Sequence, residues 1–136
     1  MVDYVNDTKG NTRLPGIMTL GYISAFSETL AYTVIVSKAV PTLTAALVSE
    51  VEDHIRAATA WALGQIGRHS PDHAAAVAEA NALPKMLGLY TADEGSEDLK
   101  TKAKRALKSI IQKCVTLSAL EPLIDSPPNI QRYLVV

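Results

Sequence analysis

Hydrophobic and polar positions along this chain follow the period of amphipathic helices rather than that of strands. In the stretch HIRAATAWALGQIGRH, the apolar residues Ala58, Trp61, Ala62 and Ile66 recur near the spacing of one helical face. A short helix is predicted next in DHAAAVAEA, and a third begins around Pro84, because proline is tolerated in the first turn of a helix. The pattern therefore predicts one long and two shorter helical segments in succession.

This succession belongs to an internal repeat. When the chain is shifted by 43 positions, residues 11–47 align with residues 54–90 without a gap and with nine identities. The identical pairs are Arg13/Arg56, Leu20/Leu63, Gly21/Gly64, Ile23/Ile66, Ser27/Ser70, Ala31/Ala74, Val34/Val77, Ala39/Ala82 and Pro41/Pro84. Most are apolar, small or proline residues, and a fixed period of this length indicates a stack of helical units. Gly21 and Gly64 recur at the same place, which predicts close packing of the long helices.

A third copy follows at an offset of 44, because the acidic loop TADEGSED needs one extra residue. Leu63 then aligns with Leu107 and Ile66 with Ile110, but the copy reaches Pro122 several residues early. Irregular last units are common at the end of repeat arrays. We predict a single domain over residues 1–136, with repeats at about 11–52, 53–96 and 97–124 and a C-terminal extension over 125–136.

The stretch HSPDH combines two histidines, a serine and an aspartate, which suggests a catalytic or a metal site. Its position favours a helix boundary, since Ser70 suits an N-cap, Pro71 a first turn and Asp72 the positive end of a helix. The aligned stretch FSETL makes the same corner without either histidine. We interpret HSPDH as a helix stop and restart, place His69 and His73 on the surface, and predict no catalytic residue and no metal site.

Composition narrows the class of protein further. With 48% hydrophobic residues the chain can bury a core, and a formal net charge of −1 gives no general attraction to nucleic acid or to an anionic membrane. Cys114 is the only cysteine, so an internal disulfide is excluded and an intracellular location is expected. Cys114 aligns with Ser70 and is interpreted as a small core or cap residue. No stretch has the length of a membrane span, and no phosphate-binding loop is found, so no cofactor is predicted.

The repeat resembles the armadillo repeat, through its length, the A-x-x-A-W-A-L-G-x-I pattern on the long helix and the A-L-P that begins a later one. The resemblance covers about residues 11–124. It is more specific for the armadillo family of the central apparatus of cilia and flagella, called the sperm-associated antigen 6 family. The stretches that carry it are EDHIRAATAWALGQIGRHSPDHAAAVAEANALP, NTRLPGIMTLGYISAFSETLAYTVIVSKAVP, GSEDLKTKAKRALKSIIQKC and LSALEPLIDSPPNI.

This resemblance implies an all-α, armadillo-type right-handed solenoid of about three repeats, from the later part of a longer array. It also implies a non-enzymatic scaffold in the cytoskeleton of the ciliary or flagellar axoneme, attached to the central pair and needed for motility. The expected partners are central-pair proteins and microtubules. If the chain is such a piece, its end repeats expose apolar surface, which would allow a homo-oligomer.

The resemblance also places a candidate binding groove along the long helices. Importin-type armadillo proteins carry a tryptophan there and, four residues later, an asparagine that binds the backbone of an extended peptide. The aligned pairs in this chain are Met18/Tyr22, Trp61/Gln65 and Arg105/Ser109, so the asparagine is missing from every unit. Four residues further on, the same face carries Phe26, His69 and Lys113, and Lys102 lies near it.

The predicted groove changes from aromatic and apolar in the first unit to basic in the third. An acidic partner, such as the acidic tails of tubulin, is one interpretation, although charges on helices usually just face solvent. Lys100, Lys104 and Lys108 form a second stripe at a four-residue spacing. An alternative function remains open, that of a peptide-cargo adaptor that uses the groove around Trp61 and Gln65.

Overall fold

The fold is built from helices alone in the part of the chain that the structure, a computed structural model, describes, which is residues 1–114. The helices are α1 (Val2–Asp7), α2 (Leu14–Phe26), α3 (Glu28–Val36), α4 (Ala39–Ser49), α5 (Asp53–Gly67), α6 (Pro71–Glu79), α7 (Ala82–Thr91) and α8 (Glu97–Ile111), with a short 3₁₀ helix at Gly10–Thr12. The predicted all-α class is confirmed. The predictions for Pro122, for the rest of the third repeat and for the extension over 125–136 lie outside the described residues.

Two helical triplets follow each other with the same order, one long helix and two shorter ones. The first is α2–α4 and the second is α5–α7, and α8 is the next long helix. Serines cap both a short and a long helix: Ser27 accepts a hydrogen bond from the Leu30 amide at 3.1 Å, and Ser96 accepts one from the Leu99 amide at 3.1 Å. These bonds satisfy amides that have no partner within the helix, so local chemistry sets where α3 and α8 begin.

The turn between the two short helices also repeats. Lys38 precedes α4 and Asn81 precedes α7, and both have a left-handed backbone with φ of 65°. This conformation is uncommon outside glycine, and asparagine tolerates it better than lysine. The recurrence shows that the turn geometry belongs to the repeat and not to the residue type.

The core lies around α5, which packs between α2 on one side and α8 on the other. Ten of the residues of α5 are buried, including Ile55, Leu63 and Ile66, none of which is exposed to solvent. A helix that is buried nearly all round belongs at the centre of a stack. The three long helices α2, α5 and α8 therefore form one layer. The predicted groove requires this layer, because its residues come from all three helices.

Two glycines allow this layer to be tight, as predicted. A Cβ added to Gly21 of α2 would collide with the ring of Trp61 of α5, and one added to Gly64 would lie 2.9 Å from the backbone of Ala106 in α8. Because real Cβ contacts are longer, a side chain at position 21 would displace the ring of Trp61 or its helix, and one at position 64 would push α5 and α8 apart.

Helix α1 was not predicted. Its Val5 is fully buried, and its contacts with α2 and α4 place it against the first triplet. With six residues, α1 is too short to show a helical period in the sequence. Its position is set by packing against α2 and α4. No single helix within residues 1–114 is long and apolar enough to span a membrane, although α3 and α4, bent by 77° at their junction, pass that test as a pair.

Candidate protein-binding groove

Two adjoining depressions lie along the solvent-exposed face of the α2–α5–α8 layer. The first lies where the three helices meet, and its floor is apolar: Met18 comes from α2, and Ala57, Ala58 and Trp61 come from α5. The residues at its edge are polar or amphipathic, namely Tyr22, His54, Asp98 and Lys102. An apolar floor with a few polar groups around it is the usual form of a binding site for an apolar side chain.

Trp61 is the residue that shapes this first depression. Gly21 makes room for its ring, and Tyr22 packs against it edge-to-face, with ring centroids 5.0 Å apart. Edge-to-face contact is a favoured arrangement for two aromatic rings and limits their movement. Trp61 is half-buried, whereas Tyr22 is exposed, so the pair presents a preformed aromatic surface to solvent.

The second depression lies between α5 and α8. Trp61 and Gln65 line it from α5, and Lys102, Arg105 and Ser109 line it from α8, together with Lys108 and Gln112. Gly64 and Ala106 are also among its lining residues, at the point where the two helices come closest. Three of its lining residues are cations and none is an acid, so the depression presents net positive charge.

Seven of the ten residues proposed for the groove line these two depressions: Met18, Tyr22, Trp61, Gln65, Lys102, Arg105 and Ser109. Phe26, His69 and Lys113 do not. Phe26 is 83% exposed at the end of α2, and Lys113 lies in the turn beyond α8. The prediction for His69 assumed that α5 extends as far as this residue. Helix α5 ends at Gly67, so His69 does not lie on that helical face.

Sequence reasoning missed Lys108, His54 and Gln112 as lining residues. Lys108 had been placed on a separate stripe with Lys104, but it lies three residues after Arg105 and shares the second depression with it. The spacing of three residues between Arg105 and Lys108 was the sequence signal for this, because it places both side chains on the same face of α8. Lys104 is directed elsewhere, with its ammonium 5.8 Å from the centre of the Tyr90 ring.

The charges of α8 are only partly compensated. Lys102 donates to the carboxylate of Asp98 at 2.9 Å, one turn earlier on the same helix. Arg105 and Lys108 are exposed, and within residues 1–114 neither forms an ion pair. The positive field of the second depression therefore comes mainly from these two residues.

HSPDH is a helix boundary, as predicted, with α5 ending before it and α6 beginning at Pro71. Ser70 accepts a hydrogen bond from the His73 amide at 3.3 Å, and its hydroxyl also lies 2.6 Å from Nδ1 of His73. Nε2 of His73 lies 3.0 Å from the carbonyl oxygen of Glu28. In a neutral imidazole this arrangement makes Nε2 the donor to that carbonyl, so Nδ1 accepts from Ser70.

The placement of both histidines on the surface was wrong for His73, which is only 4% exposed. Its ring is covered because α6 packs on the start of α3, and Tyr32 stands edge-on to it at 6.3 Å. His69 is half-buried, and its Nε2 lies 2.6 Å from the carbonyl oxygen of Ser24 near the end of α2. The histidines thus join the first helical triplet to the second.

Arg68 and His69 contact the end of α2, whose last carbonyls have no partner within the helix. Arg68 donates to the Ala25 carbonyl at 2.9 Å, next to the carbonyl that His69 contacts. At the opposite edge of the layer, the amide of Ser96 donates to the carboxylate of Asp53 at 2.7 Å. Polar bonds therefore connect α2 to α5 at their C-terminal ends and α5 to α8 at their N-terminal ends.

Within the described residues, two side chains have a shifted pKa, and neither lies in the groove. The hydrogen bond from Arg56, followed by the one from the Ser96 amide, holds the pKa of Asp53 below its usual value. Burial raises the pKa of the Cys114 thiol, which packs against the core. Within residues 1–114, no three histidine, cysteine, aspartate or glutamate side chains converge as metal ligands would.

Comparison with known proteins assigns this architecture. No family model matches the chain. Over 96 residues, which is 70% of this chain, it is 60% identical to human sperm-associated antigen 6 and 58% identical to the mouse protein. Among solved structures, a designed armadillo repeat protein in complex with the peptide (KR)4 superposes on 97% of this chain and 59% of its own, with a TM-score of 0.73 and 20% identity. The chain has the fold of an armadillo-repeat array.

A second designed armadillo protein, made for modular peptide recognition, covers the same share of the chain with a TM-score of 0.72. At 20% identity, these structures show the fold alone. The armadillo array described here spans about a fifth (19%) of the length of sperm-associated antigen 6. Its sequence similarity to that protein and its armadillo fold support a repeat-based surface for protein interactions.

Proposed function

We propose that this armadillo chain is a non-enzymatic scaffold of the axonemal central pair, which supports the integrity of the central apparatus and flagellar motility. The observation that supports this proposal is the 60% identity to sperm-associated antigen 6 over 96 residues. The chain would be located in the cytoskeleton of the cilium or flagellum, and its partners would be central-pair proteins.

The architecture supports a scaffold rather than an enzyme. The long helices form a continuous layer, in which polar bonds join α2 to α5 at one edge and α5 to α8 at the other. The Ser70–His73 pair is part of a helix cap, and the group on the far side of the imidazole is a main-chain carbonyl oxygen, where a catalytic triad would have a carboxylate. The function would then depend on shape and surface contacts.

Co-sedimentation tests the proposal directly. The purified chain should pellet with demembranated axonemes that contain the central pair, and less of it should pellet with axonemes that lack the pair. Equal recovery in both samples would contradict the central-pair assignment. Pelleting with purified microtubules alone would further assign the contact to tubulin rather than to a central-pair protein.

A second candidate function is that of a peptide-cargo adaptor, which the aromatic depression around Trp61 favours. An adaptor should bind an extended peptide and lose it on Trp61→Ala, because that change removes the ring that lines both depressions. A scaffold that is held by other surfaces should still pellet with axonemes after the same substitution. The two functions therefore predict opposite results for one variant.

A further inference from the structure

We propose that the two depressions bind one extended acidic peptide, with an apolar side chain in the first and carboxylates in the second. This inference rests on the proposed function, since it names a class of partner for a protein-interaction scaffold. It differs from the peptide-cargo alternative, for which the expected ligand is an extended basic or mixed peptide.

Charge is the first argument. The second depression is lined by Lys102, Arg105 and Lys108 and by no acid. Asp98 compensates Lys102, while Arg105 and Lys108 remain exposed within the described part of the chain. A guanidinium and an ammonium three residues apart on one helix face can each bind a carboxylate, and complementary charge of this kind determines which partners are accepted.

The apolar floor is the second argument. Met18, Ala57, Ala58 and Trp61 form a surface without charge, whose aromatic part is already held in place by Gly21 and Tyr22. A preformed surface costs little ordering on binding, so more of the free energy of burying a leucine or isoleucine side chain is retained as affinity. The floor therefore favours a peptide that carries one apolar anchor.

The two depressions adjoin, which is the third argument. Trp61 and Lys102 line both of them, so one short peptide can reach from the anchor to the cations. A peptide in extended conformation advances about 3.3 Å per residue, so four or five residues cover the width of two neighbouring helices. The peptide should therefore carry its apolar side chain next to its acidic residues.

Recognition of this kind differs from that of the designed armadillo protein with a similar fold, whose bound peptide (KR)4 is basic. The positions where importin-type proteins carry an asparagine hold Tyr22, Gln65 and Ser109 here. Only Gln65 among them has a side-chain amide, so these positions do not provide a ladder of amides to the peptide backbone, and side-chain charge and the aromatic anchor carry the selectivity.

Peptide titration tests the proposal, and Trp61 is a built-in probe because it is the only tryptophan in the chain. Three synthetic peptides are compared by tryptophan fluorescence and by calorimetry: one leucine next to four glutamates, the same peptide with serine for leucine, and one leucine next to four lysines. The leucine–glutamate peptide should bind best. The serine peptide should bind several-fold more weakly, and the lysine peptide at least about tenfold more weakly.

Charge-reversal variants locate the contact. The double variant Arg105→Glu/Lys108→Glu should weaken binding of the leucine–glutamate peptide by about tenfold or more, and the loss should shrink as salt is added. Lys9→Glu/Lys38→Glu is the matched control, because it changes the net charge equally at two exposed lysines outside both depressions. Circular dichroism should show unchanged helix content in both.

Equal affinity for the glutamate and lysine peptides, no heat or fluorescence change with any peptide, or equal losses in the two double variants would each overturn the inference. These outcomes are separable from failure of the proposed function. A chain that pellets with the central pair but ignores the peptides disproves the acidic-peptide inference alone. A chain that binds the peptide but does not discriminate between the axonemes disproves the central-pair assignment alone.

Discussion

The ring of Trp61 on α5 lies directly over the backbone of Gly21 on α2 and occupies the space that a side chain at that position would need. This contact joins the first helical triplet to the second and shapes the floor of the candidate groove. The stability of the array and the form of its binding surface therefore depend on the same pair of residues.

Gly21→Ala should destabilise the chain by about 1–3 kcal/mol, because the added methyl group forces either the ring or the helix to move. Gly88→Ala is the control, since a methyl group there would meet nothing within 4 Å and α7 would gain helix propensity. That variant should be more stable by roughly 0.5–1 kcal/mol. Urea unfolding followed by circular dichroism measures both, and a neutral Gly21→Ala would contradict the tight contact.

His73→Ala should cost about 1–3 kcal/mol, because it removes a buried ring and leaves the Glu28 carbonyl without its imidazole partner. His54→Ala provides the comparison. His54 is exposed and bonds Asn11 at the surface, so its removal should change the free energy of unfolding by no more than about 0.5 kcal/mol. Similar losses in the two variants would show that His73 does not join the triplets.

Glu50→Ala should destabilise the chain by about 3 kcal/mol, since it breaks a buried ion pair and leaves Arg13 buried without its partner. Oε1 of Glu50 accepts from the Arg13 guanidinium at 3.1 Å and from the Gly10 amide at 3.0 Å, which ties the end of α4 to the start of α2. Glu52→Ala, at an exposed acid two residues later, should be nearly neutral. Chemical denaturation of the two variants decides whether the pair has this role.

Asp53→Asn should weaken the joint between α5 and α8 at neutral pH, and the effect should disappear in acid. The pKa of Asp53 is lowered in the folded chain, so its contribution is complete above the ordinary value of 3.8 and is lost as the pH falls through the lower folded-state value. The difference in unfolding midpoint between the wild type and the variant should therefore shrink below about pH 4. Asp93→Asn, in the exposed loop before α8, should leave the stability at neutral pH nearly unchanged, and a constant difference for Asp53→Asn would refute the linkage.

Local chemistry in the sequence was sufficient for the helical triplets. The serines at positions 27 and 70 and the 43-residue alignment predicted where α3 and α6 begin, because a cap bond joins residues only three apart in the chain. The recurrence of glycine at positions 21 and 64 likewise predicted close packing. For the candidate groove, helical spacing correctly brought Trp61 and Gln65 together on one face.

Contacts between successive repeats could be determined only from the tertiary structure. His73 is buried against α3, where its ring contacts the carbonyl of Glu28, 45 residues earlier in the chain. No local sequence pattern reveals a contact between residues so far apart. His69 does not lie on the predicted face because α5 ends two residues before it. Lys108 and Arg105 line the same depression because the space between α5 and α8 reaches both residues. Caps and helical periods act within about four residues along the chain, so the sequence alone determined them. Burial and the shape of a groove depend on which surfaces face each other across successive repeats, so only the packed array determined them.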